Sequence, residues 1–149
     1  MSAVNILLVD DNRNLVITLS EGLRKAMGNA ISVLVCFSGS EALAMLPKKS
    51  FDVVICESDL PGESGLGLLD KIQQNYPETS LVLVTTYGTA ALEDEVHRHG
   101  IGYLPKPFGI PLLVQTVHDL LRDKEKKEET ESPARILTPE PESGKAGMP

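Results

Sequence analysis

Short apolar runs alternate along this chain with longer stretches whose apolar residues recur every three or four positions. The run Val4-Asn5-Ile6-Leu7-Leu8-Val9 is almost continuously apolar, the pattern of a strand buried on both faces. Leu15, Leu19, Leu23 and Met27 then repeat every four residues, which is one face of a helix. Gly28-Asn29 supplies the stop. Ile31–Cys36 predicts a second strand. Ser38, with Glu41 three residues later, predicts a capping box. Ala42, Leu43 and Leu46 give that helix its buried face, and Pro47 ends it. Phe51–Cys56 predicts a third strand, closed by Glu57. Ser64 is expected to cap a third helix that buries Leu66, Leu69 and Ile72. Leu81–Thr85 predicts a fourth strand, a charged helix runs from about Thr89 to His99, and Ile101–Leu104 predicts a short fifth strand. Leu113, Val117, Leu120 and Leu121 mark a last helix.

Strands that alternate with helices in this way imply an α/β fold. Five parallel strands form one doubly wound sheet, with right-handed crossovers placing the five helices on both faces. Ligands of such folds sit beyond the carboxyl ends of the strands. Asp10-Asp11, Glu57, Thr85 and Lys106 each lie at such an end. After about Arg122 the character changes. The charge run Lys124-Glu125-Lys126-Lys127-Glu128-Glu129 is expected to extend the last helix and then fray. Thr130–Pro149, where Pro133, Pro139, Pro141 and Pro149 are mixed with Glu, Ser, Gly and Lys, reads as a disordered tail. Ile136-Leu137 within it is a candidate docking motif, outweighed by the plainer reading of a solvated tail. The expected division is a domain over residues 1–123 and an extension over 124–149. No internal repeat and no second, DNA-binding or enzymatic, module is expected.

Composition narrows the class. The chain has 149 residues, 42% of them hydrophobic, enough for one core, and 4% aromatic, so that core is mostly aliphatic. A formal net charge of −7 disfavours nucleic acid and anionic membrane surfaces as partners. No apolar run approaches the roughly 20 residues that span a bilayer. No basic segment with a small-residue cleavage site opens the chain, so no signal peptide is predicted. Cys36 and Cys56 each end a predicted strand, which fits two buried thiols in a reducing cytoplasm better than a disulfide framework.

The strand-end residues carry the candidate chemistry. Asp10, Asp11 and Glu57 together make a hard oxygen site suited to Mg²⁺. As an isolated dipeptide, Asp10-Asp11 reads equally as the acidic start of a helix. With the hydroxyl of Thr85 and the Lys106-Pro107-Phe108 turn, the set resembles the response-regulator receiver domain, the CheY-like family. The resemblance covers about Val4 to Arg122 and includes Pro61-Gly62 and Gly65 in the loop after the third strand. It implies a flavodoxin-like sheet of order 2-1-3-4-5, which would place another strand between Cys36 and Cys56. It also implies a cis peptide at Lys106-Pro107. Thr85 would donate its hydroxyl to a phosphoryl group, and Lys106 would neutralise its oxygens or pair with the acids. Tyr103 would act as an aromatic switch, or equally be a tyrosine with its ring in the core and its hydroxyl in water. The implied partners are a histidine kinase or phosphotransfer protein, or a downstream protein target. A homodimer through the fourth helix, fifth strand and last helix is a further expectation.

Three positions depart from the family pattern. Glu57 stands where the family has the aspartate that accepts the phosphoryl group. Asp59 adds a carboxylate two residues on, where the family offers the metal a backbone carbonyl. Thr86 occupies a position often kept small beside the attack path. Asp59 is the alternative acceptor, but Asp52 and Pro61 both set the register on Glu57. The expected function is a single-domain receiver of a two-component or phosphorelay pathway. Its phosphoryl acceptance is altered or absent, Glu57 is a partial mimic of the phosphorylated state, and it acts by protein contacts rather than as an enzyme. The alternative is a working phosphotransfer receiver.

Overall fold

The computed structural model describes residues 3–137. Along the chain run β1 (Val4–Val9), α1 (Arg13–Met27), β2 (Ile31–Cys36), α2 (Gly39–Met45), β3 (Val53–Glu57), β4 (Asp59–Leu60), β5 (Glu63–Ser64), α3 (Gly65–Asn75), β6 (Ser80–Thr85), α4 (Ala90–Arg98), β7 (Gly102–Pro105) and α5 (Ile110–Leu137). A 3-10 turn, Gly28–Ala30, leads into β2.

The apolar runs pair in parallel in the order β2-β1-β3-β6-β7, which is 2-1-3-4-5 once the two-residue strands β4 and β5 are set aside. β1 and β3 are interior strands and buried on both faces, which is why their sequences do not alternate. One face, through Leu7, Val9, Val54, Cys56, Leu81 and Leu83, packs on Ala42 of α2, Leu68, Leu69 and Ile72 of α3, and Val96 of α4. On the other face Leu8, Ile55 and Val84 meet Val16 and Leu19 of α1. Asp52 ties the start of β3 down: its carboxylate accepts from the Asn5 N–H at 2.8 Å and its own N–H reaches the Asn5 carbonyl at 2.8 Å. Register then delivers Val9 opposite both Cys36 and Cys56, so β1 separates the two thiols, and both cysteines are free and buried. Burial, reinforced by Glu41, raises the Cys36 thiol to about 11. Burial and the nearby Glu57 push Cys56 up as well.

The element starts follow their caps. Ser38, Ser64 and Thr89 each accept a backbone N–H three residues on. Glu41 reaches back from α2 to the Phe37 N–H at 2.7 Å, one residue ahead of the expected capping-box partner. Several expectations need correcting. Leu43 points outward, 36% exposed, because Ala42 and Leu46 already fill the stripe facing the sheet. Leu68, not Leu66, is fully buried in α3, and on α1 the buried stripe is Val16, Leu19, Ser20 and Leu23. The hairpin of β4 and β5 was hidden in what reads as a loop. Pro61-Gly62 turns it, with Gly62 at φ 77°, the sign that the third residue of a type II turn requires.

The chain divides into two compact units, the first ending at Thr116 and the second beginning at Val117, ahead of the expected boundary at residue 123. α5 passes through that division without a break and continues to Leu137. Residues 130–137 are thus helical backbone, where composition predicted disorder. The Glu- and Lys-rich run consists of good helix formers and carries the helix onward, through Pro133. The remainder of the expected tail, 138–149, lies outside the described residues. Among the described residues no helix is long and apolar enough to cross a membrane.

Candidate functional site

The carboxyl ends of β1, β3, β6 and β7 converge. Asp10 follows β1, its N–H held by the Cys36 carbonyl at 3.1 Å. Its Oδ1 accepts from the Asn12 N–H at 2.9 Å. The N-cap of α1 is Asn12, whose Oδ1 takes the Leu15 N–H at 3.1 Å. Asp10 is therefore free of capping duty, and its Oδ2 faces Lys106 Nζ at 3.0 Å. Glu57, the last residue of β3, is 5% exposed, and Asp10 6%. Glu57 Oε1 makes a close ion pair with Lys106 Nζ. Its Oε2 accepts from the Asp59 N–H at 3.1 Å and from Ser58 Oγ at 3.0 Å. Both oxygens of the Glu57 carboxylate are thus engaged.

Burial alone would pull the Lys106 ammonium down, but its bonds to Glu57 and Asp10 outweigh that, and its value is raised. The strand-end lysine is carried by the Lys106-Pro107 turn, whose peptide is cis, and its N–H donates to the Thr85 carbonyl at 2.8 Å. Thr85 is 1% exposed. Its Oγ1 receives Ser58 Oγ at 2.8 Å and the Tyr87 N–H at 3.2 Å. Gly65 closes the floor: a Cβ there would lie 1.8 Å from the Glu57 carbonyl oxygen, so only glycine lets α3 start this close to the site. Tyr103 is half-buried against the core, with its ring edge-on to His97 and its hydroxyl over Gly88, where a Cβ would collide with it.

The side chains of Asp11, Asp59 and Thr86 stand outside this contact set and the residues are exposed; Asp59 enters it through its backbone N–H alone. An open cleft of about 640 Å³ separates Asp11 from the Ser58–Ser64 loop. Among the described residues no three or more His, Cys, Asp or Glu side chains are disposed to hold a metal ion. The Lys106 ammonium lies between Asp10 and Glu57 and pairs with both. Of the expected carboxylates, Asp10 and Glu57 are drawn together by one lysine, and a cation held here would have to draw in Asp11 from across the cleft. Ser58 was missed from sequence, since a serine after a strand-end acid carries no signal of its own until the fold aims its hydroxyl.

The family model of the response regulator receiver domain matches residues 6–118. This chain belongs to the response regulator receiver family. The receiver is 34% identical over 116 residues to the response regulator protein FleR of Pseudomonas aeruginosa, covering 77% of this chain and 24% of that one. It is 34% identical over 120 residues to the transcriptional regulatory protein CpxR of Klebsiella pneumoniae, covering 78% and 49%. The receiver therefore spans a quarter to a half of these relatives. Among solved structures it superimposes on the signal receiver domain of an HD domain-containing protein from Pseudomonas fluorescens, with a TM-score of 0.75, 27% identity, and coverage of 87% and 94%. A CheY-like receiver from Methanospirillum hungatei gives 0.77 at 24% identity, covering 85% and 99%, which speaks to the fold alone. Receivers are generally signalling modules rather than enzymes. They generally bind Mg²⁺ at the acidic phosphorylation site and interact with histidine kinases or phosphotransfer proteins.

Proposed function

We propose that this receiver signals through protein contacts in a two-component or phosphorelay pathway, with Glu57 standing in part for the phosphorylated state. The observation that carries this reading is the Glu57 carboxylate itself: one oxygen is paired with Lys106 and the other is held by Ser58 and the Asp59 N–H. A nucleophile must be close to in-line and unencumbered, and a misplacement of about 1 Å costs on the order of 10²-fold in rate. The mimicry is partial, because the carboxylate brings one charge where an acyl phosphate brings roughly two. The partner surface on this reading lies at α4 and β7, next to the loop that holds Tyr87 81% exposed. Mg²⁺ would compete with Lys106 for Asp10, with the exposed Asp11 as its point of entry.

A second reading, a working phosphotransfer receiver, is favoured by the intact arrangement of Asp10, Thr85 and Lys106 around Glu57. Acetyl phosphate with Mg²⁺ separates the two. Intact-mass analysis of the wild type is expected to show no stable phosphoryl adduct, while ready labelling that maps to Glu57 would transfer the case to the second reading.

A further inference from the structure

Ser58 is the first residue after β3, and its backbone is clamped on both sides. Its N–H donates to the Val84 carbonyl of β6 at 2.8 Å, and its carbonyl accepts from the Gly65 N–H at the start of α3 at 2.7 Å. A side chain on so fixed a backbone has few places to go, and a precisely aimed group needs that support. Its hydroxyl lies 3.0 Å from Glu57 Oε2 and 2.8 Å from Thr85 Oγ1. One hydroxyl has one proton to donate. Sharing it between the two acceptors ties the carboxylate and the Thr85 hydroxyl to a common point. Thr85 Oγ1 in turn accepts the Tyr87 N–H at 3.2 Å, and among the described residues Tyr87 is the most exposed of the large apolar side chains, at 81%.

We infer that Ser58 is a positioning residue that links the buried Glu57 carboxylate, through Thr85, to the exposed loop at Tyr87. With alanine at 58, Glu57 Oε2 would keep only the Asp59 N–H and Thr85 Oγ1 only the Tyr87 N–H. Thr85 would then be free to turn about its Cα–Cβ bond, and the loop would lose its connection to the state of the carboxylate. This bridge makes the surface around Tyr87 answer to residue 57 without a phosphoryl group between them. It rests on the reading that the glutamate carboxylate itself sets the state of the site.

The test needs no phosphoryl donor, so labelling of the wild type would sink that reading while leaving the bridge to stand on its own data. Amide hydrogen exchange is followed by NMR at Tyr87, with the amides of β1 as an internal control. The variants are Ser58→Ala, Ser58→Thr, Glu57→Gln and the Ser58→Ala/Glu57→Gln double. Ser58→Ala is expected to speed exchange at Tyr87 by roughly five-fold, the effect of one lost hydrogen bond. Glu57→Gln should move it the same way, and the double variant should be no faster than the quicker single, since both cut one connection. Ser58→Thr, which keeps the hydroxyl, should hold the wild-type rate. A Tyr87 amide that does not respond to Ser58→Ala overturns the bridge. So do singles that add independently in the double, an equal rise throughout β1, or a failure of Ser58→Thr to restore the rate.

Discussion

Glu57→Asp is expected to turn a receiver that resists acetyl phosphate into one that accepts a phosphoryl group, with a gain on the order of 10²-fold in labelling rate. The rest of the apparatus is assembled: Asp10 and Lys106 lie 3.0 Å apart, and Thr85 is buried at the strand end with its hydroxyl toward the site. What the extra methylene changes is reach. It carries Oε1 onto Lys106 and Oε2 under Ser58 and the Asp59 N–H. A shorter side chain draws the carboxylate back from the lysine and frees an oxygen on the cleft side to attack the incoming phosphoryl group, whose oxygens the Lys106 ammonium can then meet. Asp59 is exposed at the rim of that cleft, so its charge will hold the rescued rate below that of an unburdened site. Intact mass or radiolabel incorporation with Mg²⁺ present reads the outcome. Equal labelling of the wild type and Glu57→Asp would show that reach is not what limits the reaction. Labelling lost only in Asp59→Ala would move the acceptor to residue 59.

Lys106→Met is expected to cost roughly 2–3 kcal/mol of stability, because it leaves two nearly buried carboxylates facing each other without a counterion. The pair lies deep enough to be poorly screened: the side chains of Lys106, Asp10 and Glu57 are 17%, 8% and 6% exposed. Since the lysine's value is raised on folding, its contribution is complete below the ordinary lysine range and is lost only as pH climbs through the higher folded value. Neutral-pH urea unfolding therefore measures the full effect. The same variant should bind Mg²⁺ on the order of ten-fold more tightly than the wild type, as the cation takes over the work of the ammonium. Calorimetric titration of the wild type, Lys106→Met and Asp11→Ala checks this. Unchanged stability together with unchanged Mg²⁺ affinity would mean that Lys106 is not the counterion of this site.

Much of this could be seen in the residues before any coordinates. The apolar runs at Val4–Val9 and Ile31–Cys36 matched their strands to the residue, the first interior and the second at the edge of the sheet, because Asp10 closes the one and Gly28-Asn29 precedes the other. The strand-end placement of Asp10, Glu57, Thr85 and Lys106 followed from the apolar run that leads into each. Pairwise geometry was harder. Nothing in the spacing says that Lys106, ninety-six positions from Asp10, pairs with Asp10 and Glu57 at once. Nor does it say that Ser58 joins Glu57 to Thr85, because a polar contact depends on where the backbone aims one hydroxyl. Leu43 was misread because a short helix offers two overlapping apolar stripes, and only packing chooses between them. The reach of α5 to Leu137 was underestimated because composition judged Pro and charge as a tail while the helix propensity of the Glu-Lys run continued.

The two cysteines give this receiver a built-in chemical reporter. Cys56 sits at the centre of the sheet, one residue before Glu57, and Cys36 on the outermost strand, β2. Burial keeps both thiols protonated and out of reach of an alkylating reagent in the native fold. A reagent added under native conditions can therefore mark only molecules that have opened. Modification at Cys36 registers fraying of the sheet's margin, while modification at Cys56 requires the centre itself to come apart. The ratio of the two rates separates a peripheral breath from a global unfolding, in an unmodified chain and without any added probe site.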